Sequence, residues 1–232
     1  MNEVLLAFTR HEADRTDGLV FPVRRLYLGG WAGRSRQDVQ QHINELAKLG
    51  VQAPTDVPIV MPMPPHLVTT SGPIEVRDHA TSGEVEYVLL FDGERLWVTV
   101  GSDHTDREIE RVDIAKSKQL YPNVIAPALW SYEEVRDHWD ALELTCWVET
   151  EGQFRVYQHA PLSALYSATS WVDRLQSTNL LEQGTVLFSG SLPTLSGTLI
   201  NGDAYRFRLS DPIRNRVLEH SYRVVPLPGF GA

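Results

Sequence analysis

The sequence predicts an α+β domain that is mostly β: a mixed sandwich or roll with a few short helices. Three observations carry this. Apolar runs of strand length recur along the 232 residues, separated by Gly, Pro and Asn turns. Helical periodicity is confined to a few stretches between them. No Pro/Ser/Gly-rich linker, repeat or low-complexity segment divides the chain, so strands and helices are expected to share one domain over residues 1–232.

Taken in order, Val4 to Phe8 and Val23 to Leu28 read as strands. Arg36 to Leu49 reads as a helix, because Val39, Ile43 and Leu46 fall at helical spacing and Gly50 stops it. Met61-Pro62-Met63-Pro64-Pro65 reads as a loop, since proline fixes the backbone and removes donors. Gly83 to Phe91 and Glu94 to Gly101 read as a hairpin joined by Asp92-Gly93. Thr105 to Leu120 reads as a helix capped by Thr105 with Glu108 three residues on, and Pro122 ends it. A short helix over Ser131 to Trp139 precedes a hairpin, Leu142 to Glu149 with Gln153 to Gln158. A third long helix is expected over Pro161 to Leu175. Strands Thr185 to Ser189, Ala204 to Leu209 and Arg216 to Val225 follow, with turns at Asn201-Gly202-Asp203 and Asp211-Pro212. The tail 226–232 reads as a loose end or an oligomer arm.

Composition sets limits. Apolar residues make up 42% and the net charge is -9, which argues against nucleic acid as a partner. No targeting segment and no apolar stretch of membrane-spanning length is found. The single cysteine, Cys146, excludes a disulfide within the chain and suits a reducing cytoplasm; it reads as a small buried hydrophobe.

The chemistry begins at Gly83-Glu84-Val85-Glu86-Tyr87. A strand repeats its facing every two residues, so Glu84 and Glu86 point the same way. Two carboxylates beside an apolar run repel one another, and a cation between them relieves this. Pairing the hairpin across a two-residue turn sets Phe91 opposite Glu94, Glu86 opposite Thr99 and Glu84 opposite Gly101, with Asp103 diagonal to Glu84. Three carboxylates with no His or Cys suit Mg²⁺ or Mn²⁺. The same spacing also occurs on plain solvated strand faces.

Further candidates lie nearby. His42 and Glu45 are three apart on the expected helix, where the carboxylate can orient the imidazole as a base. Taken alone, the pair reads more simply as a boundary histidine with a solvated glutamate. Lys116 can hold an oxyanion beside the cluster, or is merely solvated, as Lys118 is read to be. Arg107 can grip a substrate carboxylate, or pair with Glu108 or Glu110 on the surface. The segment Leu187-Phe188-Ser189-Gly190-Ser191-Leu192-Pro193-Thr194 ends an apolar strand in a loop that can offer amides and a hydroxyl to an anion, or is a plain turn. Gly29-Gly30-Trp31-Ala32-Gly33 is neither a dinucleotide fingerprint nor a phosphate loop, and the remaining histidines lack zinc spacing.

Together these segments resemble the fumarylacetoacetate hydrolase superfamily, in a divergent branch. The colinear pieces are Leu28-Gly29-Gly30-Trp31, His42-Ile43-Asn44-Glu45, Glu84-Val85-Glu86, Ser102-Asp103-His104-Thr105-Asp106-Arg107-Glu108, Lys116-Ser117-Lys118 and Ser189-Gly190-Ser191. The resemblance implies a mixed β-sandwich roll, a homodimer, and one Mg²⁺ or Mn²⁺ on Glu84, Glu86 and Asp103. It implies a water-activating dyad of His42 and Glu45 on a lid within 1–55, a catalytic core over 56–225, and Lys116 as the active-site lysine. Arg107 and Ser191 would contact substrate. The implied reaction is hydrolysis of a carbon–carbon bond in a 2,4-dioxo acid of the acylpyruvate type or a related oxo acid. Decarboxylation, hydration or tautomerisation through an enolate is the alternative, as is a non-catalytic small-molecule-binding protein. Departures from the pattern, such as Ser102 before the aspartate and Glu108 after Arg107, bear on the substrate more than on the metal.

Overall fold

The structure is a computed structural model that describes residues 4–13, 15–37, 39–40 and 56–229. Among them run fifteen strands: β1 (Val4–Glu12), β2 (Arg15–Val23), β3 (Arg25–Gly30), β4 (Ile59–Met63), β5 (Val68–Thr69), β6 (Ile74–Val76), β7 (Thr81–Phe91), β8 (Leu96–Asp106), β9 (Asn123–Ile125), β10 (Ala128–Ser131), β11 (Glu143–Thr150), β12 (Gln153–Pro161), β13 (Thr185–Phe188), β14 (Ala204–Asp211) and β15 (Arg216–Pro226). They form a ten-stranded mixed sheet, β2-β1-β10-β8-β7-β13-β3-β4 with β9 beside β8 and β5 beside β9, and a five-stranded sheet, β12-β11-β14-β15-β6. The expected mostly β architecture with short helices is what forms.

Strands β7 and β8 are the spine, and both of their faces are covered. On one face Val85, Tyr87, Val98 and Val100 pack into a core with Cys146, Tyr205, Phe207 and Leu209 of the smaller sheet. On the other, Val88, Leu90 and Trp97 pack with Leu26, Leu28, Phe21 and Phe188. Full burial of such a side chain contributes about 1.5–3 kcal/mol. Burial on two faces explains why these strands read as near-continuous apolar runs rather than as alternations. Cys146 is wholly buried and unpaired, and burial pushes its thiol up, as expected of a structural residue.

Several elements depart from expectation. β8 continues through Thr105, so Thr105 caps no helix. Asp106 takes that role, its carboxylate accepting from the amides of Glu108 (3.0 Å) and Ile109 (2.9 Å). Asp113 opens a second turn by accepting from the Lys116 amide at 3.0 Å. Two aspartate caps in close succession therefore break the expected helix into Arg107–Glu110 and Ile114–Ser117. The segment after Ser131 forms 3₁₀ turns, Tyr132–Glu134 and Arg136–Ala141. The third helix starts late, at Ala168–Ser177, capped by Ser167. Prolines hid strands at the sheet margins: Pro22 lies in β2 and Pro62 in β4, both edge strands, where a missing donor is tolerated. The tail begins tied down, with the Leu227 amide donating to the Val76 carbonyl at 2.7 Å. Among the described residues no helix is long and apolar enough to cross a membrane.

Candidate metal centre

The β7–β8 hairpin sets the geometry. Its turn is four residues, not two, because the Asp92 carboxylate accepts from the amides of both Glu94 (2.9 Å) and Arg95 (2.7 Å). Gly93 supplies the positive φ (103°) that this turn needs. Phe91 therefore pairs with Leu96, Glu86 with Gly101, and Glu84 directly with Asp103. The slip of two from the expected register preserves the facing of every side chain. One oxygen from each of Glu84, Glu86 and Asp103 lies within 4.8 Å of the others. Glu86 and Asp103 are fully buried, and Glu84 is partly exposed.

Two cations answer these charges. The Lys118 ammonium contacts Asp103, lies 3.5 Å from Glu84 Oε2, and donates to Thr105 Oγ1 at 3.2 Å. Arg107 Nη2 sits 3.1 Å from Glu84 Oε1 and Nη1 2.7 Å from Glu110 Oε2, while Nε donates to Ser82 Oγ at 2.7 Å. Its fork is thus directed at protein groups, and Arg107 orients Glu84. Lys116, the lysine expected here, points away: its side chain is 77% exposed and pairs with Asp113 at 3.1 Å. Lys118, not Lys116, lies beside the carboxylates, because the broken helix changes which lysine faces the hairpin.

Environment separates the three carboxyls. Burial raises Glu84, but Arg107 and Lys118 outweigh it and leave its pKa below the ordinary value. Burial, then the charge of Asp103, pushes Glu86 well above the usual glutamate range, although Lys118 opposes this. Burial likewise raises Asp103, with Lys118 opposing and Glu84 adding to the rise. Despite its own burial, Lys118 is held protonated by Asp103, Glu84 and Glu86.

The site is braced from both sides. The Gly190 amide donates to Glu86 Oε2 at 2.6 Å, and Gly190 has φ 87°. Ser191, half-buried, follows it directly. Buried Gln158 accepts from the Val85 amide at 3.0 Å and donates to the Leu192 carbonyl, so one amide side chain ties the glutamate strand to the Gly190 loop. We expect Gln158→Leu to leave a buried N–H and C=O unpaired and to cost about 2–4 kcal/mol in chemical denaturation. A loss under about 0.5 kcal/mol would show that the tie is dispensable. On the opposite face of β8 from Asp103, His104 Nδ1 lies 2.9 Å from Tyr222 Oη and Nε2 2.9 Å from Thr81 Oγ1. Burial, then Arg107, holds its pKa down at about 3, so this imidazole is neutral. A Cβ on Gly83 would stand 2.2 Å from Tyr222 Oη, which explains the glycine before Glu84.

His42 and Glu45 lie outside the described residues. A surface cavity of about 510 Å³ borders Asp92, Gly93 and Glu94 at the turn end of the hairpin. At about 3.3 Å per strand residue it is roughly 25 Å from Glu84 and separate from the carboxylate site. Lys118 and Gln158 were not marked by sequence spacing, and only the fold brings them in; the Gly190 amide, from the loop read as able to meet an anion, meets the Glu86 carboxylate.

No curated protein matches the chain by sequence. Solved structures match by fold. A 2-keto-3-deoxy-D-arabinonate dehydratase complexed with magnesium and 2,5-dioxopentanoate has a TM-score of 0.62 at 14% identity, over 93% of this chain and 79% of its own. A fumarylacetoacetate hydrolase from the psychrophile Exiguobacterium antarcticum has a TM-score of 0.59 at 15% identity, over 93% and 83%. A 4-oxalocrotonate decarboxylase from Pseudomonas putida G7, complexed with calcium and acetate, has a TM-score of 0.55 at 14% identity, over 86% and 76%. These neighbours are enzymes of differing reactions on one fold, and at such identity the likeness speaks for the fold alone. A family described as protein of unknown function (DUF2848) matches residues 29–222. The chain belongs to that family and carries the fold of the fumarylacetoacetate hydrolase superfamily.

Proposed function

We propose that the chain is a metal-dependent enzyme that hydrolyses a carbon–carbon bond in a 2,4-dioxo acid of the acylpyruvate type or a related oxo acid. The observation that carries this is the convergence of Glu84, Glu86 and Asp103 within 4.8 Å on one strand pair. An all-oxygen donor set fits a hard divalent cation, Mg²⁺ or Mn²⁺. The magnesium and calcium in two neighbours of the same fold support the same reading. Such an ion supplies a Lewis acid for the carbonyl and carboxylate oxygens of an oxo acid.

The chain's own residues do the rest. Arg107 and the Gly190 amide hold Glu84 and Glu86 in place. Lys118 keeps its proton and provides a fixed positive charge where an oxyanion develops, the role the sequence had suggested for Lys116. Ser191 offers a hydroxyl to the substrate beside the Gly190 amide. His42, oriented by Glu45, takes a proton from the attacking water. In this reading the protein works as a cytoplasmic homodimer.

Calorimetric titration with Mn²⁺ and Mg²⁺, followed by loss of diketo absorbance from an acylpyruvate, tests it. One ion per chain and turnover are expected. His42→Ala should keep ion binding and lose at least about a hundredfold in hydrolysis. Product analysis separates hydrolysis from decarboxylation, hydration or tautomerisation. Ion binding without turnover of any oxo acid would leave a binding protein and remove the enzyme.

A further inference from the structure

Asn123 opens β9, and no part of the site described so far uses it. The antiparallel register of β9 on β8 pairs Gly101 with Ile125 and Ser102 with Val124. The next position along sets Asn123 beside Asp103. Alternation places its side chain on the face of Ile125, which packs with Val88 and Phe188, and this is the face of Glu84, Glu86 and Asp103. Its other flank is apolar, since β5 pairs Val68 with Asn123. Asn123 is fully buried, yet among the described residues neither its Nδ2 nor its Oδ1 has a hydrogen-bond partner.

An orphaned amide at such a place is costly. Each unpaired buried polar group costs about 1–3 kcal/mol, and an apolar residue of similar size would avoid that. An amide that lacks partners at both ends is complementary to a group that both donates and accepts. Among the oxygens of small organic acids, carboxylate and carbonyl oxygens only accept, whereas a hydroxyl does both.

We infer that Asn123 is a substrate-binding residue of the carboxylate site and makes that site select oxo acids bearing a hydroxyl group. This rests on the oxo-acid reading above and narrows its substrate class. Nδ2 donates to the hydroxyl oxygen, and Oδ1 accepts its proton. A substrate without the hydroxyl leaves the amide unpaired, and sites built in this way discriminate strongly.

The test uses the full chain, with and without Mn²⁺, and two pairs of probes that differ by one hydroxyl: hydroxypyruvate with pyruvate, and 4-hydroxy-2-oxobutanoate with 2-oxobutanoate. Affinities are read by calorimetry for wild type, Asn123→Leu and Asn123→Ala, and the ligand-free proteins are melted. In at least one pair the wild type should bind the hydroxylated acid about tenfold tighter or more, and both variants should bring the ratio near one. Ligand-free Asn123→Leu should melt at or above wild type, because the orphan is gone. Should the leucine variant fail to fold, Asn123→Ala carries the affinity ratio. A wild-type ratio near one in both pairs, a ratio unchanged in the variants, or no binding of any probe overturns the inference. So does a folded leucine variant that melts well below wild type, because the amide would then be holding the core. Failure of Mn²⁺ to bind the wild type rejects the metal reading separately, and the ratios without Mn²⁺ still decide Asn123.

Discussion

Glu86→Gln abolishes divalent-ion binding and gives a protein that outlasts wild type on heating, by a margin that widens with pH. Burial, followed by the charge of Asp103, holds the Glu86 carboxyl well above its ordinary pKa. An acid whose folded pKa exceeds its unfolded one binds its proton more tightly when folded. Stability therefore falls as pH rises from the unfolded value through the folded one. Glutamine removes that penalty, and its amide oxygen still accepts from Gly190, which now reaches Glu86 Oε2 at 2.6 Å. Melting curves should coincide below about pH 4 and separate by roughly 2–4 °C near pH 8, on the order of 1 kcal/mol. The same protonation makes Mn²⁺ binding in the wild type tighten with pH and release protons, which calorimetry in buffers of different ionisation enthalpy reads directly. A variant that melts lower at pH 8, or that still binds Mn²⁺, would contradict the picture.

Lys118→Met carries the largest stability loss. Lys118 is buried against Asp103 and 3.5 Å from Glu84 Oε2. Methionine keeps much of the volume and removes the charge, leaving three acidic groups with Arg107 as the remaining cation among the described residues. Breaking a buried pair by deleting one partner costs about 3–5 kcal/mol, because the other charge stays uncompensated. A Tm fall of roughly 10 °C in the absence of divalent ions is expected. Mn²⁺ should recover more of that loss than it adds to wild type, since the added ion neutralises the same oxygens. Lys116→Met, at a side chain 77% exposed, should leave the Tm within about 2 °C. Equal effects of the two lysine variants would reject the assignment of Lys118 to the site.

Much of this site is written in short-range signals. Glu84 and Glu86 share a face because strands alternate, and Asp92-Gly93 announces the return strand, so the convergence with Asp103 survives an error in turn length. That error was hidden because it depends on which amides the Asp92 side chain captures. Lys116 and Lys118 could not be separated by spacing: their facing depends on Asp113 restarting the helix, a capping competition that periodicity does not report. Gln158 and Asn123 are single polar residues in apolar strands, and their position beside the cluster comes from strand partners remote in sequence. β4 escaped notice because Pro62 resembles loop chemistry until the strand is known to be an edge. His42 and Glu45 lie outside the described residues, so their role rests on resemblance.

The two proline-bearing margins have a consequence for assembly. With Pro22 in the strand at one end of the larger sheet's main strand order and Pro62 in the strand at the other, neither of these two borders presents an unbroken row of amide donors to a foreign strand. Runaway strand-by-strand stacking of copies is therefore disfavoured along those two borders.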